Sequence, residues 1–391
     1  MEQVLTLVCK LQPTDEQAQH MDETLTRFAD ACTYIHTTLP ANIRNKDRMQ
    51  AMIYYDVRSR FQLSANLAIQ AIRRVAMNRK AAHETGNMVE TFAPTSIQYD
   101  ARIFSFRERD WTVSLTLLHG RERLALSLGH YQRGKLKGHQ PKAAQLCKHR
   151  DGTYAVHIQL HTPVDTPPRP DKAIGVDLGR RDIAHTSTGQ HWAGDEITRV
   201  RDRYARLRRG LQQKASKGTR STRRRCRQLL ARLSGREKRF QRHTNHVISK
   251  ALVVEATERR AMIVLEDLTG IRARTNTQPR SKTERRRGNS WAFDQLRQFV
   301  AYKAVLACIF HFLVPPAYTS HMCHACLHIG QRHHKHFACT NPACGWSGDA
   351  DWNAAQNIAL LGLSLSKPRG PWLSCELQGS QKPQALEAWV A

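Results

Sequence analysis

The sequence predicts a multidomain α+β protein. Its 391 residues are enough for two or three hydrophobic cores. Along the chain the apolar period changes from three-to-four residues to two, and near the end four cysteines at metal-ligand spacing mark a small separate module.

The chain opens with a strand-like run, Val4 to Cys9, followed by Thr14-Asp15-Glu16-Gln17, which has the form of a capping box. A helix is predicted there, with Ala18, Met21, Leu25, Phe28, Cys32 and Ile35 on one face. A second helical stretch covers Met49 to Ala82 and includes Leu63, Leu67, Ala71 and Val75. From Ile97 the period is two: Trp111, Val113, Leu115 and Leu117, then Leu124, Leu126 and Leu128, then Tyr154, Val156, Ile158 and Leu160. These read as strands of a half-buried antiparallel sheet or small barrel, with Asp151-Gly152 as a hairpin turn. The opening strand fits this sheet, which makes residues 14–88 a helical insertion in a β domain of residues 1–13 and 89–168. Pro163 to Pro170 reads as a linker.

Sixty-one Lys and Arg against thirty-three Asp and Glu leave a net charge of +28, which points to a polyanionic partner, nucleic acid first. A membrane surface would also attract cations, but the apolar run Val305 to Phe310 ends at His311 and is far too short to span a bilayer, so no membrane partner is expected. No targeting segment is apparent. The cysteine usage suits a reducing cytosol: Cys9, Cys32, Cys147, Cys226, Cys308 and Cys375 are scattered singly, while Cys323, Cys326, Cys339 and Cys344 form two pairs. Four thiolates so spaced can close a tetrahedron around one zinc ion. His324, His328, His333, His334 and His336 lie among them, and replacement of one thiolate by a histidine is the alternative ligand set.

Three segments bring carboxylates out of apolar surroundings. Asp177 interrupts the run Ala173 to Leu178 just before a glycine, and a charge there is costly unless paired or bound to a metal. Asp182 reads as a turn residue. Glu266 and Asp267 end the apolar run Ala261 to Leu265, Glu266 on the strand and Asp267 in the loop. Asp351 stands in the first turn of a helix carrying Ala354, Ile358 and Leu361, where an acid is often only a cap. Delivered jointly by two strands and one helix, three such acids suit a two-metal phosphodiester hydrolase. No Ser/His/Asp arrangement, phosphate-binding loop or dinucleotide fingerprint competes.

In this order G-V-D-L-G (175–179), V-L-E-D-L (264–268), Y-T-S (318–320) with the paired cysteines, and D-x-D-x-N-A-A-x-N-I (349–358) resemble the TnpB family of transposon-encoded RNA-guided nucleases, relatives of type V CRISPR effectors. The resemblance covers roughly residues 171–362. It implies an RNase H-like RuvC nuclease domain at 171–317 and 348–365, a zinc-ribbon-like insertion at 318–347 holding one structural Zn2+, and a wedge-like β domain with a helical recognition insertion before them. It implies Asp177, Glu266 and Asp351 as catalytic acids holding two Mg2+, with Asp349 at a less strictly filled position. The implied partners are a guide RNA and a double-stranded DNA target with a short flanking motif, and the implied location is cytoplasmic, on the nucleoid of a prokaryotic-type cell. Two departures from the family are visible. Leu327 follows Cys326 where glycine is usual, and four residues rather than two separate the second cysteine pair.

Between the first two acids, residues 201–243 hold seventeen Lys and Arg against Asp202 and Glu237. Leu207, Leu211, Leu229, Leu230, Leu233 and Phe240 predict a basic helical hairpin over 201–255, docked by one side and presenting Arg208, Arg209, Lys217, Arg223, Arg224 and Arg225 to nucleic acid. The loop Arg272 to Arg287, with Arg285, Arg286 and Arg287, forms a second basic patch and a candidate lid. Ser290 to Phe293 reads as core packing, as do Tyr99 and Trp111, for which base stacking is the alternative. Residues 366–391 lack periodicity. A guide-directed repressor that binds without cutting and a transposase accessory protein are the competing functions.

Overall fold

The computed structural model describes residues 2–168, 170–179, 181–271, 277, 279, 281, 284–285 and 292–366. Arg286, Arg287, Ser290, Trp291, most of the candidate lid and the tail from residue 367 lie outside the described residues. The chain divides between Pro163 and Val164 into two compact units, each with its own core.

In the first unit, β1 (Glu2–Gln12) turns Leu7, Cys9 and Leu11 inward. The capping box then starts α1 (Asp15–Thr38): the Thr14 hydroxyl accepts from the Gln17 N–H, and the Gln17 side chain accepts from the Thr14 N–H. The stretch expected to be one helix from Met49 to Ala82 is two, α2 (Lys46–Phe61) and α3 (Ala65–Thr85). Gln62 takes a left-handed conformation (φ 53°) and Ser64 caps α3 through the Leu67 N–H, so the break lies in backbone chemistry that apolar spacing does not register. Arg79 of α3 is buried and donates to the carbonyls of His36, Leu39, Pro40 and Ile43, acceptors at and beyond the end of α1.

The remaining elements of this unit are β2 (Ser96–Asp100), β3 (Phe104–Arg107), β4 (Thr112–Leu117), β5 (Gly120–Ser127), the short α4 (His130–Leu136), β6 (Ala143–Lys148) and β7 (Tyr154–Pro163). Among the described residues they make one antiparallel sheet with β1, in the order β2-β6-β7-β1-β5-β4-β3. The three long helices are thus inserted between the first two strands. At the β6–β7 turn Gly152 has φ 81° and the Asp151 carboxylate accepts from the Thr153 N–H. Tyr99 is buried in the core and offers no face to a base, while Trp111 packs partly against the core under the Arg133 guanidinium.

The second unit opens with β8 (Ala173–Asp177), β9 (Asp182–Thr186) and β10 (His191–Ala193), then α5 (Asp195–Lys217), α6 (Arg220–Leu233) and α7 (Arg236–Arg259). It continues with β11 (Met262–Glu266), α8 (Phe293–Leu306), β12 (His311–Val314), the small strands β13 (Gly330–His333), β14 (His336–Cys339) and β15 (Ser347–Asp349), and α9 (Ala350–Ser366). Among the described residues the main sheet has the order β10-β9-β8-β11-β12, with β8, β11 and β12 parallel and β9 antiparallel to both of its neighbours, β8 and β10. This order and these directions are those of an RNase H-like sheet.

Helices cover both faces. Ile248, Leu252 and Ala256 of α7 and Leu296 and Val300 of α8 pack on Ile174, Val176, Ile263 and Leu265, while Ile358 of α9 meets Met262, Val264 and Val314 on the other side. Close approach of α9 depends on two glycines: a Cβ on Gly175 would strike the backbone at Ala355 and Ala359, and one on Gly362 would strike Val264. The hairpin expected over 201–255 is three helices rather than two. Its leucines are only half-buried or exposed, and Cys226 is the buried side chain of α6 among the described residues.

Candidate active site

Parallel pairing of β8 with β11 aligns Val176 with Leu265, both turned into the α7–α8 core. The next residues, Asp177 and Glu266, therefore stand side by side at the carboxyl ends of the strands and face α9. Asp351 comes to them from the first turn of α9. All three acids are buried, at 9%, 6% and 8% exposure. Burial, reinforced by the charges of Glu266 and Asp351, pushes the Asp177 carboxyl up to about 8. Burial also raises Glu266, against the opposing pull of the Thr319 hydroxyl and the Arg332 guanidinium. Buried carboxylates gathered in this way favour a bound cation, and all-oxygen donors fit hard divalent ions.

Side chains that sequence reasoning passed over hold the acids. Thr319 donates to Glu266 Oε1 at 2.5 Å. Asn357 donates to the carbonyls of Thr319 (2.9 Å) and Met322 (2.6 Å), and Asn353 donates to Met322 O at 2.7 Å and accepts from the His324 N–H. Asp349 caps α9, its carboxylate accepting from the N–H groups of Asp351 and Trp352. The signal for this network was two asparagines four residues apart on the helix face that also carries Ala354 and Ile358, a spacing that turns both amides to one side.

The module between β12 and α9 gathers Cys323, Cys326, Cys339 and Cys344 with all four sulfurs within 4.8 Å of one another. Sulfur separations of 3.8 Å (Cys323–Cys344) and 3.5 Å (Cys326–Cys339) approach the ~3.8 Å edge of a tetrahedron with Zn–S bonds of about 2.3 Å. The set fits zinc with cysteine alone; no histidine joins it among the described residues. The wide second pair closes through a turn in which the Cys344 N–H donates to Asn341 O and Gly345 takes φ 59°. Leu327, where glycine is usual, adopts φ 61°.

The β13–β14 hairpin reaches from the cysteines over the acids. Arg332 forms an ion pair with Asp351, and Lys335 Nζ lies 2.6 Å from Asp182 Oδ2. Asp182 is therefore not a turn residue: it begins β9, is 6% exposed and carries a charge partner, which its position after a Gly-Arg-Arg run did not reveal. A cavity of 510 Å³ beside the acids is lined by Arg181, Asp182, Arg201, Arg332, Lys335 and Asp351.

Of the expected nucleic-acid contacts, Arg208 pairs with Glu237 at 2.7 Å, tying α5 to α7, and Arg223 Nε donates to the Gly218 carbonyl. Arg209, Lys217, Arg224, Arg225 and Arg285 are exposed. Asp267, the acid set aside in favour of Glu266, pairs with Arg297 away from the cluster. Among the described residues no helix is long and apolar enough to cross a membrane.

Residues 293–358 match the family described as Cas12f1-like, TNB domain, and residues 155–270 match the family described as probable transposase. Over these segments the chain is similar to TnpB-family proteins. It is similar to a TnpB-like protein of Methanocaldococcus jannaschii, 31% identical over 45% of this chain and 61% of that protein. It is also similar to the CRISPR-associated endodeoxyribonuclease Cas12f1 of Sulfoacidibacillus thermotolerans, 31% identical over 49% of this chain and 46% of the relative. These matches span about half the length of the curated relatives. The solved structure of a mini RNA-guided endonuclease, CRISPR-Cas phi3, resembles this chain in fold with a TM-score of 0.53 at 9% identity, covering 94% of this chain and 93% of that one.

Proposed function

We propose that the chain is an RNA-guided DNA endonuclease of a transposable element, a RuvC-type enzyme that hydrolyses DNA phosphodiesters at a target matched by a bound guide RNA. The observation that carries this reading is the meeting of Asp177, Glu266 and Asp351 at the carboxyl ends of β8 and β11. The activities named for relatives support it, Cas12f1 being an endodeoxyribonuclease and the structural neighbour an RNA-guided endonuclease.

Asp177, Glu266 and Asp351 would hold two Mg2+ ions, which when bound supply an activated water and neutralise the scissile phosphate. Thr319 fixes the Glu266 carboxylate so that one oxygen remains for a ligand. Arg332 brings a permanent positive charge to the edge of the cluster, where the phosphate being cut would gain negative charge. Arg209, Lys217, Arg224 and Arg225 would hold phosphates of the guide or of its duplex with the target, positioning without reading sequence. The duplex flanking motif is assigned to the first unit.

The test is to purify the chain with its RNA and assay a matched plasmid in Mg2+ beside Asp177→Ala. Cleavage by wild type alone is expected. Binding of the target by wild type without any cleavage would overturn the nuclease and establish a guide-directed repressor. Affinity for DNA independent of RNA would overturn the guide.

A further inference from the structure

The hairpin of β13 and β14 is a short ribbon of four residues on each side, joined along β14 by the three-residue β15, and so small a sheet is marginal without outside support. One end is held by Cys339 in the sulfur cluster. The other end is the turn at His334 and Lys335, with His334 at φ 56°. At that tip Lys335 makes two contacts with the nuclease core. Lys335 Nζ donates to Asp182 Oδ2 at 2.6 Å, and the Ala350 N–H donates to the Lys335 carbonyl at 2.8 Å. Asp182 is largely out of water, so its charge is tolerable because it is paired. Arg332 lies three residues before Lys335 on the facing strand and reaches Asp351. The same turn thus carries one cation to a catalytic acid and another to an acid outside the cluster.

We propose that the Asp182–Lys335 ion pair is a latch that holds the hairpin tip against β9, and that Asp182 and Lys335 are thereby positioning residues for Arg332 at the acid cluster. Because both ion pairs line the 510 Å³ cavity, the latch also helps to fix the cavity's cationic wall. A strand entering the cavity would meet Arg332 in place only while Lys335 remains fixed. The latch itself stands on geometry; its catalytic consequence rests on the nuclease reading.

The experiment uses the full chain with zinc bound, comparing wild type with Asp182→Asn, Lys335→Met and Lys335→Arg. Amide hydrogen exchange over residues 330–339 should quicken about tenfold in Asp182→Asn and Lys335→Met, return toward wild type in Lys335→Arg, and leave zinc content unchanged. Unaltered exchange in both disrupted variants overturns the latch, whether or not the chain cuts DNA. With guide RNA and saturating target, the same two variants should cleave about tenfold more slowly at unchanged target affinity. Faster exchange with undiminished cleavage overturns the positioning role. Absence of cleavage by wild type defeats the nuclease reading, and with it the catalytic half, while exchange still decides the latch.

Discussion

The Thr319 hydroxyl donates to Glu266 Oε1 at 2.5 Å, and the Thr319 carbonyl accepts from the Asn357 side chain at 2.9 Å. The loop leading into the cysteine module is therefore fastened on one side to an acid of the cluster and on the other to the helix that carries Asp351. Thr319→Val keeps the shape and removes the donor, leaving the buried carboxylate one bond short at a cost of about 1–3 kcal/mol. The expected outcome is a cleavage rate down about tenfold or more at saturating Mg2+, with Thr319→Ser largely restoring it. Equal rates for wild type and Thr319→Val would show that Glu266 needs no such support.

Asp177 carries a pH dependence whose sign is fixed by its environment. Its carboxyl is raised from 3.8 to about 8 in the folded chain without metal. A raised folded value means that the group favours the fold most fully below its unfolded pKa and withdraws that contribution as pH climbs toward 8. The metal-free protein should accordingly lose thermal stability between about pH 4 and pH 8 more steeply than Asp177→Asn, which cannot ionise. At pH 8 the variant should be the more stable by about 1–2 kcal/mol, the usual sign when a strained functional charge is removed. Thermal melts of the two proteins in a chelating buffer across this range check it; parallel curves would refute the assignment.

Much of the site was legible because its chemistry is local. Asp177 and Glu266 each break an apolar run, Asp351 stood out only beside them and through the family resemblance, and the four cysteines have metal-ligand spacing. What sequence left dark depends on distant partners. Asp182 reads as a turn residue until Lys335, far along the chain, is seen against it. Thr319 gives no sign that its hydroxyl meets Glu266. The split between α2 and α3 escaped because Leu63, Leu67, Ala71 and Val75 keep the helical spacing from immediately after Gln62, whose left-handed backbone leaves no mark on apolar spacing. The basic tract was clear as composition, yet its leucines suggested a tighter dock than three helices with half-exposed apolar faces provide.

Leu327 marks a place where this chain carries local strain. Its φ of 61° puts a side chain in the left-handed region, at a cost of roughly 1–2 kcal/mol. With 53% of its surface exposed, the leucine recovers little by burial. Leu327→Gly should therefore stabilise the cysteine module, by about 1 kcal/mol once the greater backbone entropy of glycine is set against the relieved strain. Slower exchange of the module's amides, or slower release of zinc to a chelator, is the expected reading. A module weakened by the glycine would mean that Leu327 makes a contact worth more than its conformation costs.

Zinc removal tests how far the module governs the acids. Its own apolar core is Cys323, Phe337 and Ala350 with partly buried neighbours, too small to hold three short strands without a staple. One zinc per chain is expected, and a structural site of this type contributes on the order of 10 kcal/mol to the order of its surroundings. Stripping it should release residues 318–349 to fast exchange while the unit Glu2–Pro163 keeps its protection, since that unit has a separate core. Because Asn353 and Asn357 hold the Thr319–Met322 turn, and Thr319 holds Glu266, loss of zinc should also lower Mg2+ affinity at the acids, as Mn2+ binding followed by electron paramagnetic resonance would record. Cys339→Ser should reproduce both effects. Full Mn2+ binding by a zinc-free chain would separate the module from the acid site and limit its role to contacts with nucleic acid.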